Sequence, residues 1–203
     1  MYIKFIKRYF DVILAIIFLI LLIPIYLSVY LYLLIAIGSP VIFKDRRAGK
    51  NGKSFILFKF RTMSKKMNND YDIEDDRKRV LNKTLFLRSS RLDEIPQLIN
   101  VLKGDISFVG PRPLLEEYNN IYSIKHRERL NIKPGITGWS QINIDKVKSW
   151  KEKFDLDIWY INNISLSLDL KIIFYTFIFL LKSIFLKKNY NNNIFSEKFN
   201  GKN

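Results

Sequence analysis

The chain has no cysteine and one histidine in its 203 residues. The missing thiols exclude a disulfide framework and thiol catalysis, and they fit a reducing compartment. Without a Cys/His cluster there is no zinc-type constellation. The lone His126, set among Lys125, Arg127 and Arg129, reads as a surface residue and not as a base. Gly-rich phosphate cradles are missing too, since neither a Walker-type loop nor a dinucleotide fingerprint occurs. Internal repeats are also lacking. Acidic side chains are scarce, 19 against 34 Lys and Arg, for a formal charge of +15. Such a surface attracts nucleic acid, anionic lipid headgroups or phosphorylated substrates.

The distribution of apolar residues separates these partners. From Val12 to Ile37 no side chain is charged, a run longer than the roughly 20 residues that cross a bilayer. The chain is therefore membrane-associated, and nucleic acid is set aside. The run also exceeds the roughly 7 to 15 residues of a signal-peptide core and lacks a small-residue cleavage site. Lys4, Lys7 and Arg8 precede it, and Lys44, Arg46, Arg47, Lys50 and Lys53 follow it, whereas a spanning helix carries its basic excess on one side. Pro24, near the middle, removes one helical hydrogen bond and bends the axis. Two readings stay open on these grounds: a spanning helix, or a re-entrant one that breaks at Pro24 and leaves on the face it entered.

After Gly38 and Pro40 the composition becomes that of a soluble domain. Val41 to Phe43 and Phe55 to Phe60 read as the strands of a basic hairpin around the turn at Gly49 to Gly52. Lys65 to Arg79 reads as a solvated loop or exposed helix. The stretch Ser90-Arg91-Leu92-Asp93-Glu94-Ile95-Pro96-Gln97-Leu98 then places two adjacent carboxylates at a helix start, because Pro96 fits only within a first turn. Ile95, Leu98, Ile99 and Leu102 form one apolar face that ends at Gly104, which leaves the acidic tip outside. This is either a capped surface helix or a chemical site. In Pro111-Arg112-Pro113 two prolines stiffen the backbone around an arginine, as a rigid structural loop or as a mount for its guanidinium. Leu114 to Leu130 reads as helical, and Lys133 to Trp139 as a Gly/Pro loop leading to a strand through Gln141 and Ile142. Trp150 to Tyr160 reads as a helix packed by Trp150, Phe154, Ile158 and Ile161. Ile172 to Leu181, too short to span, reads as an interfacial helix. Asn189 to Asn203 is expected to be a mobile tail.

These parts suit work on phosphates. One or two carboxylates with phosphate oxygens can hold Mg²⁺. A carboxylate with an ordinary pKa of about 4 is ionised at neutral pH, so it can attack phosphorus without a partner base. Arg61, Arg88 and Arg112 are available to neutralise charge on a transferring group.

Several segments, in this order and spacing, carry a specific likeness: Lys7-Arg8-Tyr9-Phe10-Asp11, Lys59-Phe60-Arg61-Thr62-Met63, Leu92 to Asp105, Ser107-Phe108-Val109-Gly110-Pro111-Arg112-Pro113 and Pro134-Gly135-Ile136-Thr137-Gly138-Trp139. Through them the chain resembles the small monotopic phosphoglycosyl transferases, closest to the single-domain campylobacter type, from Lys7 to about Ile173. The resemblance implies an α+β fold, mostly helical. Residues 1–40 would form a re-entrant membrane helix broken at Pro24, residues 41–188 a cytoplasmic catalytic domain with a short β-hairpin and interfacial amphipathic helices, and residues 189–203 the tail. It implies transfer of a phosphosugar from a UDP-sugar to polyprenol (undecaprenyl) phosphate at the inner membrane of a bacterium, with UMP released, as the first membrane step of glycoconjugate assembly. Asp93 would be the nucleophile and metal ligand, with Mg²⁺ as cofactor, and Glu94 its partner in acceptor deprotonation or metal placement. Arg112 would clamp phosphate, Lys59, Arg61 and Arg88 would support it, and Asp157 would join the binding set. Anionic lipid headgroups and downstream glycosyltransferases would be its other partners. The chain departs from the pattern at Ile23 (a serine before the proline), at Asp45 (a common glutamine), at Arg91 (a small residue) and at Ile144-Asp145 (where Gly-Arg is usual). A rival reading keeps the fold but makes the chain a membrane-anchored scaffold that binds polyprenol phosphate or UDP-sugar without turnover.

Overall fold

The computed structural model describes Tyr2 and residues 6–64, 79–186 and 198–201, with backbone only for 183–186. The expected solvated loop at Lys65 to Arg79 falls almost wholly outside them. A single helix, α1 (Lys7–Ile37), carries the apolar run. Its assignment continues through Pro24, and Ser28 Oγ donates to the Pro24 carbonyl at 2.8 Å. Ile20, Leu21 and Ile23 before this point and Leu27 after it are more than half exposed, whereas Ala15, Val29 and Leu33 are buried against the rest of the protein.

Polar bonds tie both ends of α1 to the same body. At the start, Lys7 Nζ meets Asp169 at 2.5 Å, Arg8 donates to the carbonyls of Val101 and Leu102, and Asp11 accepts from Ser107 Oγ (2.9 Å) and Phe108 N (3.0 Å). At the end, Arg61 Nη2 donates to the carbonyls of Ile37 (2.6 Å) and Gly38 (2.7 Å), Lys83 donates to Ala36 O, and Tyr32 donates to Lys83 O at 2.7 Å. These cations cover the carbonyls that a helix C-terminus leaves unpaired.

The hairpin forms as expected but is longer. Strands β1 (Ile42–Ala48) and β2 (Ser54–Phe60) pair antiparallel, with Phe43 opposite Lys59. Period two puts Leu57 and Lys59 on one face. Helices α2 (Leu85–Ser89) and α3 (Gln97–Lys103) follow, and Gly104 at φ 85° closes α3 where an L side chain would be strained. Asn100, fully buried on α3, accepts from Phe58 N at 3.0 Å and donates to Ile56 O at 2.7 Å. It therefore fixes α3 against β2. The core gathers Leu57, Phe60, Leu87, Leu98, Val101, Ile106, Val109 and Tyr160 around this junction together with the docked face of α1. Each such side chain contributes roughly 1.5–3 kcal/mol by leaving water.

Three-residue strands β3 (Ser107–Val109) and β4 (Gly135–Thr137) pair in parallel. Gly135 is demanded by close approach, since a Cβ there would lie 2.1 Å from Gly110 N. The expected strand through Gln141 and Ile142 is instead helix α5, Trp139–Ile142, and the strand has moved upstream into the Gly/Pro loop. Leu114 to Leu130 is no continuous helix either. It divides into 3₁₀ turns at Glu116–Asn120 and Glu128–Asn131 around the single turn α4, Ile124–Arg127, whose N-cap Ser123 accepts from His126 N. Helix α6 (Trp150–Asn162) starts on the N-cap Ser149, and α7 (Leu166–Leu186) presents exposed Leu170, Phe174, Tyr175 and Phe177 opposite buried Asp169 and Ile172.

One further expectation is corrected. His126 is not on the surface. It is 8% exposed, its ring lies on Phe154, and its Nε2 is 3.2 Å from Asp155. Of the tail expected at Asn189 to Asn203 only 198–201 are described, and there Phe199 is 4% exposed inside an aromatic cluster with Tyr118, Tyr122, Trp150 and Phe154.

Candidate active site

The carboxylate pair does not cap a surface helix. Arg91 takes a left-handed conformation (φ 59°), the backbone turns once through the 3₁₀ segment Leu92–Glu94, and α3 begins only after Pro96. This inserted turn buries Asp93 to 8% and Glu94 to 9% exposure, so the acidic tip lies inside. Two adjacent carboxylates are tolerated there because cations converge on one oxygen. Glu94 Oε1 receives Arg112 Nη2 at 3.1 Å, Lys59 Nζ at 3.2 Å and Arg91 Nη1 at 3.6 Å. Three chain segments thus meet at one atom: β2, the Pro-Arg-Pro turn, and the turn carrying the pair itself.

The electrostatics split the two acids. Burial raises Asp93, the negative charge of Glu94 raises it further, and despite Lys59, Arg91 and Arg88 it stands at about 6. Burial acts the same way on Glu94, but Lys59, Arg112 and Arg91 overcome it and hold Glu94 well below the usual carboxylate range. Glu94 is a permanent anion that organises cations. Burial lowers Lys59 even though Glu94 opposes it, and the same Glu94 raises Arg112. Asp93 Oδ1 is buried without a hydrogen-bond partner among the described residues, which leaves one oxygen of the higher-pKa acid for something the protein does not itself supply.

Beside this cluster lies a small hollow lined by Arg47, Leu57, Lys59, Gln97, Arg112 and Pro113. Asp45 pairs with Arg47 along β1. Arg91 supplies the third cation on Glu94.

Of the residues picked out in the sequence, the structure brings together Asp93, Glu94, Lys59 and Arg112. Arg88 donates to Thr62 Oγ1 at 3.2 Å, and its charge still reaches Asp93. Arg61 is committed elsewhere, to the carbonyls at the end of α1. Asp157 does not face the hollow. It is 1% exposed, with Oδ2 taken by Arg129 (3.0 Å) and Oδ1 by Ser140 Oγ (2.7 Å), behind the Pro-Arg-Pro turn. Arg129 gave no sign in the sequence, being one cation in a mixed-charge stretch. Nor did Lys153, whose amine burial lowers to about 7 and which lies 4.5 Å from the centre of the Trp150 ring.

Among the described residues no three acidic or His side chains cluster as a metal cage. Magnesium asks for fewer, because it keeps waters and shares phosphate oxygens. The unpartnered Asp93 Oδ1 fits that demand.

The whole of this arrangement lies within residues 2–183, which match the family described as bacterial sugar transferase. An uncharacterised sugar transferase of Bacillus subtilis, EpsL, is 44% identical over 195 residues, covering 96% of both chains. A UDP-glucose:undecaprenyl-phosphate glucose-1-phosphate transferase of Escherichia coli is 37% identical over 85% of this chain, and an undecaprenyl-phosphate galactose phosphotransferase of Salmonella typhimurium is 34% identical over 85%. The matched region is 39% and 40% of those two longer proteins. The chain belongs to the bacterial sugar transferase family, as the motifs around Asp93 and Arg112 had indicated.

Proposed function

We propose that this phosphoglycosyl transferase moves a phosphosugar from a UDP-sugar to undecaprenyl or a related polyprenol phosphate in two steps through Asp93. The observation that carries the reading is the division of labour within the dyad: an ionised, cation-bound Glu94 beside an Asp93 with one buried, unpartnered oxygen. In the first step an Asp93 carboxylate oxygen attacks the phosphorus that bears the sugar. The bond to the bridging oxygen breaks, UMP leaves with that oxygen, and an acyl phosphate remains on Asp93. In the second step an oxygen of the polyprenol phosphate attacks the same phosphorus and Asp93 leaves as a carboxylate, giving the polyprenyl diphosphosugar.

Lys59 and Arg112, steadied by Glu94, offset the charge of the phosphoryl oxygens. Held as an anion, Glu94 is suited to placing cations, and less to accepting a proton from the acceptor. Mg²⁺, bound by Asp93 Oδ1 with substrate phosphates, would supply charge neutralisation on the diphosphate.

The same fold supports a re-entrant α1. A straight 31-residue helix is about 46 Å long, enough to cross a bilayer, yet charged groups of one domain bond to both of its ends. The exposed stretch around Pro24 is the part farthest from those anchors in sequence. A bend there carries the apolar run into one leaflet and returns it, with the domain on the cytoplasmic face and the exposed aromatic side of α7 at the interface beside anionic headgroups. Purified protein should, with Mg²⁺, polyprenol phosphate and a panel of UDP-sugars, release UMP and form a lipid-linked sugar for at least one donor. Tight donor binding with no UMP from any donor would support the scaffold reading instead.

A further inference from the structure

Behind the Pro-Arg-Pro turn lies a second ionic cluster, buried around Arg129 and Asp157. Arg129 is 4% exposed and spends its guanidinium on four bonds: Nε and Nη2 to Asp157 Oδ2 (3.3 and 3.0 Å), Nη1 to the Tyr122 hydroxyl (2.8 Å), and Nη2 also to the carbonyl of Arg112 (2.9 Å). The group lies against Phe154 and Tyr122, 5.1 and 5.5 Å from their ring centres. Ser140 fixes the far oxygen of Asp157.

We infer that Arg129, held by Asp157, is a positioning residue for Arg112, setting the angle at which that guanidinium meets Glu94 and the donor phosphates. Pro111 and Pro113 have no N–H, so the carbonyls of the turn must carry much of its tethering. Pro111 O is taken by Gly135 N at 2.9 Å. Arg112 O, the next one along, is taken by Arg129. Two small hollows flank the turn, one lined by Lys59, Gln97 and Arg112 and the other by Pro111, Arg112 and Arg129 themselves. A buried ion pair contributes little net stability over an apolar pair of the same volume. Its fork geometry, however, grips a carbonyl and a carboxylate together, which a lysine cannot reproduce.

The inference rests on Arg112 acting on donor phosphate, and its test separates the two. In Arg129→Lys the charge facing Asp157 survives while the grip on Arg112 O is lost. UMP release should fall about 10- to 100-fold in kcat/KM, as for loss of a charge-assisted bond. In an Arg112→Ala background the same change should cost less than about twofold, since Arg129 acts through Arg112. An equal loss in both backgrounds, or none in the wild-type background, overturns the inference while leaving the transferase reading intact. No UMP from the unmutated protein overturns the transferase reading instead. Amide exchange then still decides, because Arg129→Lys must speed exchange in the peptide covering residues 108–115 more than in the β1–β2 hairpin, and equal or unchanged rates refute the tether. If Arg129→Lys does not fold, Tyr122→Phe removes only the hydroxyl that orients Nη1 and should show the same non-additivity at smaller amplitude.

Discussion

Replacing Glu94 by glutamine keeps the shape of the side chain and removes the charge that Lys59, Arg112 and Arg91 share. Oε1 becomes an amide oxygen, so the contacts at 3.1 and 3.2 Å change from ion pairs to hydrogen bonds in which only the donor is charged. Breaking a buried ion pair by removing one partner's charge costs roughly 3–5 kcal/mol. The two cations on which phosphate neutralisation depends lose their shared counter-charge, and UMP release should drop roughly 100- to 1000-fold. The pH profile adds a sign. Burial and the charge of Glu94 together raise Asp93, so without that charge Asp93 becomes more acidic and the acid limb of the rate moves to lower pH while the plateau falls. Initial rates of UMP formation from pH 4.5 to 8.5, with circular dichroism to show that the variant is folded, give both readings. A plateau within about threefold of wild type, or an acid limb that moves up, would refute the role given to Glu94.

Asp93 attacks only as a carboxylate, so in the unmutated protein the rate should be lost as pH falls through about 6, and raising Mg²⁺ should move that limb to lower pH because a cation at Oδ1 favours the charged form. A limb indifferent to Mg²⁺ removes the metal from Asp93. Cysteines introduced at Lys4 and Lys53 should react with an impermeant maleimide from the same side of sealed vesicles, and labelling from opposite sides restores a spanning helix. Phe199→Ala should cost about 3 kcal/mol, the low end for a buried phenylalanine. That loss lowers the melting temperature by roughly 6–12 °C, whereas an unchanged melt would mean that the end of the chain does not dock.

Some of this was readable in the residues. The hairpin announced itself through apolar runs flanking Gly49 and Gly52, and α6 through Trp150, Phe154 and Ile158 at helical spacing. Both are local patterns. The long apolar helix was legible because 26 consecutive residues without charge leave no polar face for water. What could not be read was long-range. Strands of three residues have no periodicity to detect, so the pairing of β3 with β4 was missed and its strand was placed at Gln141. The burial of Asp93 and Glu94 depends on cations brought from β2 and from Arg112, which no spacing displays. Arg61 sits in a motif with Lys59, yet alternate positions on an extended chain share a face only while the strand lasts, and β2 ends at Phe60. Arg61 was then free to cap α1. Asp157 was recognised as significant through the family resemblance, but its partner Arg129 lies 28 residues away in a stretch whose charges looked solvated.

The covalent step is the centre of the account, and mass spectrometry tests it most directly. Protein incubated with Mg²⁺ and a competent UDP-sugar, without lipid acceptor, should release close to one UMP per chain and carry a phosphosugar on the peptide containing Asp93. The adduct should disappear when polyprenol phosphate is added and never form on Asp93→Asn. Release of UMP only after the acceptor is added, or an adduct of the same mass on the Asp93→Asn protein, would contradict the mechanism.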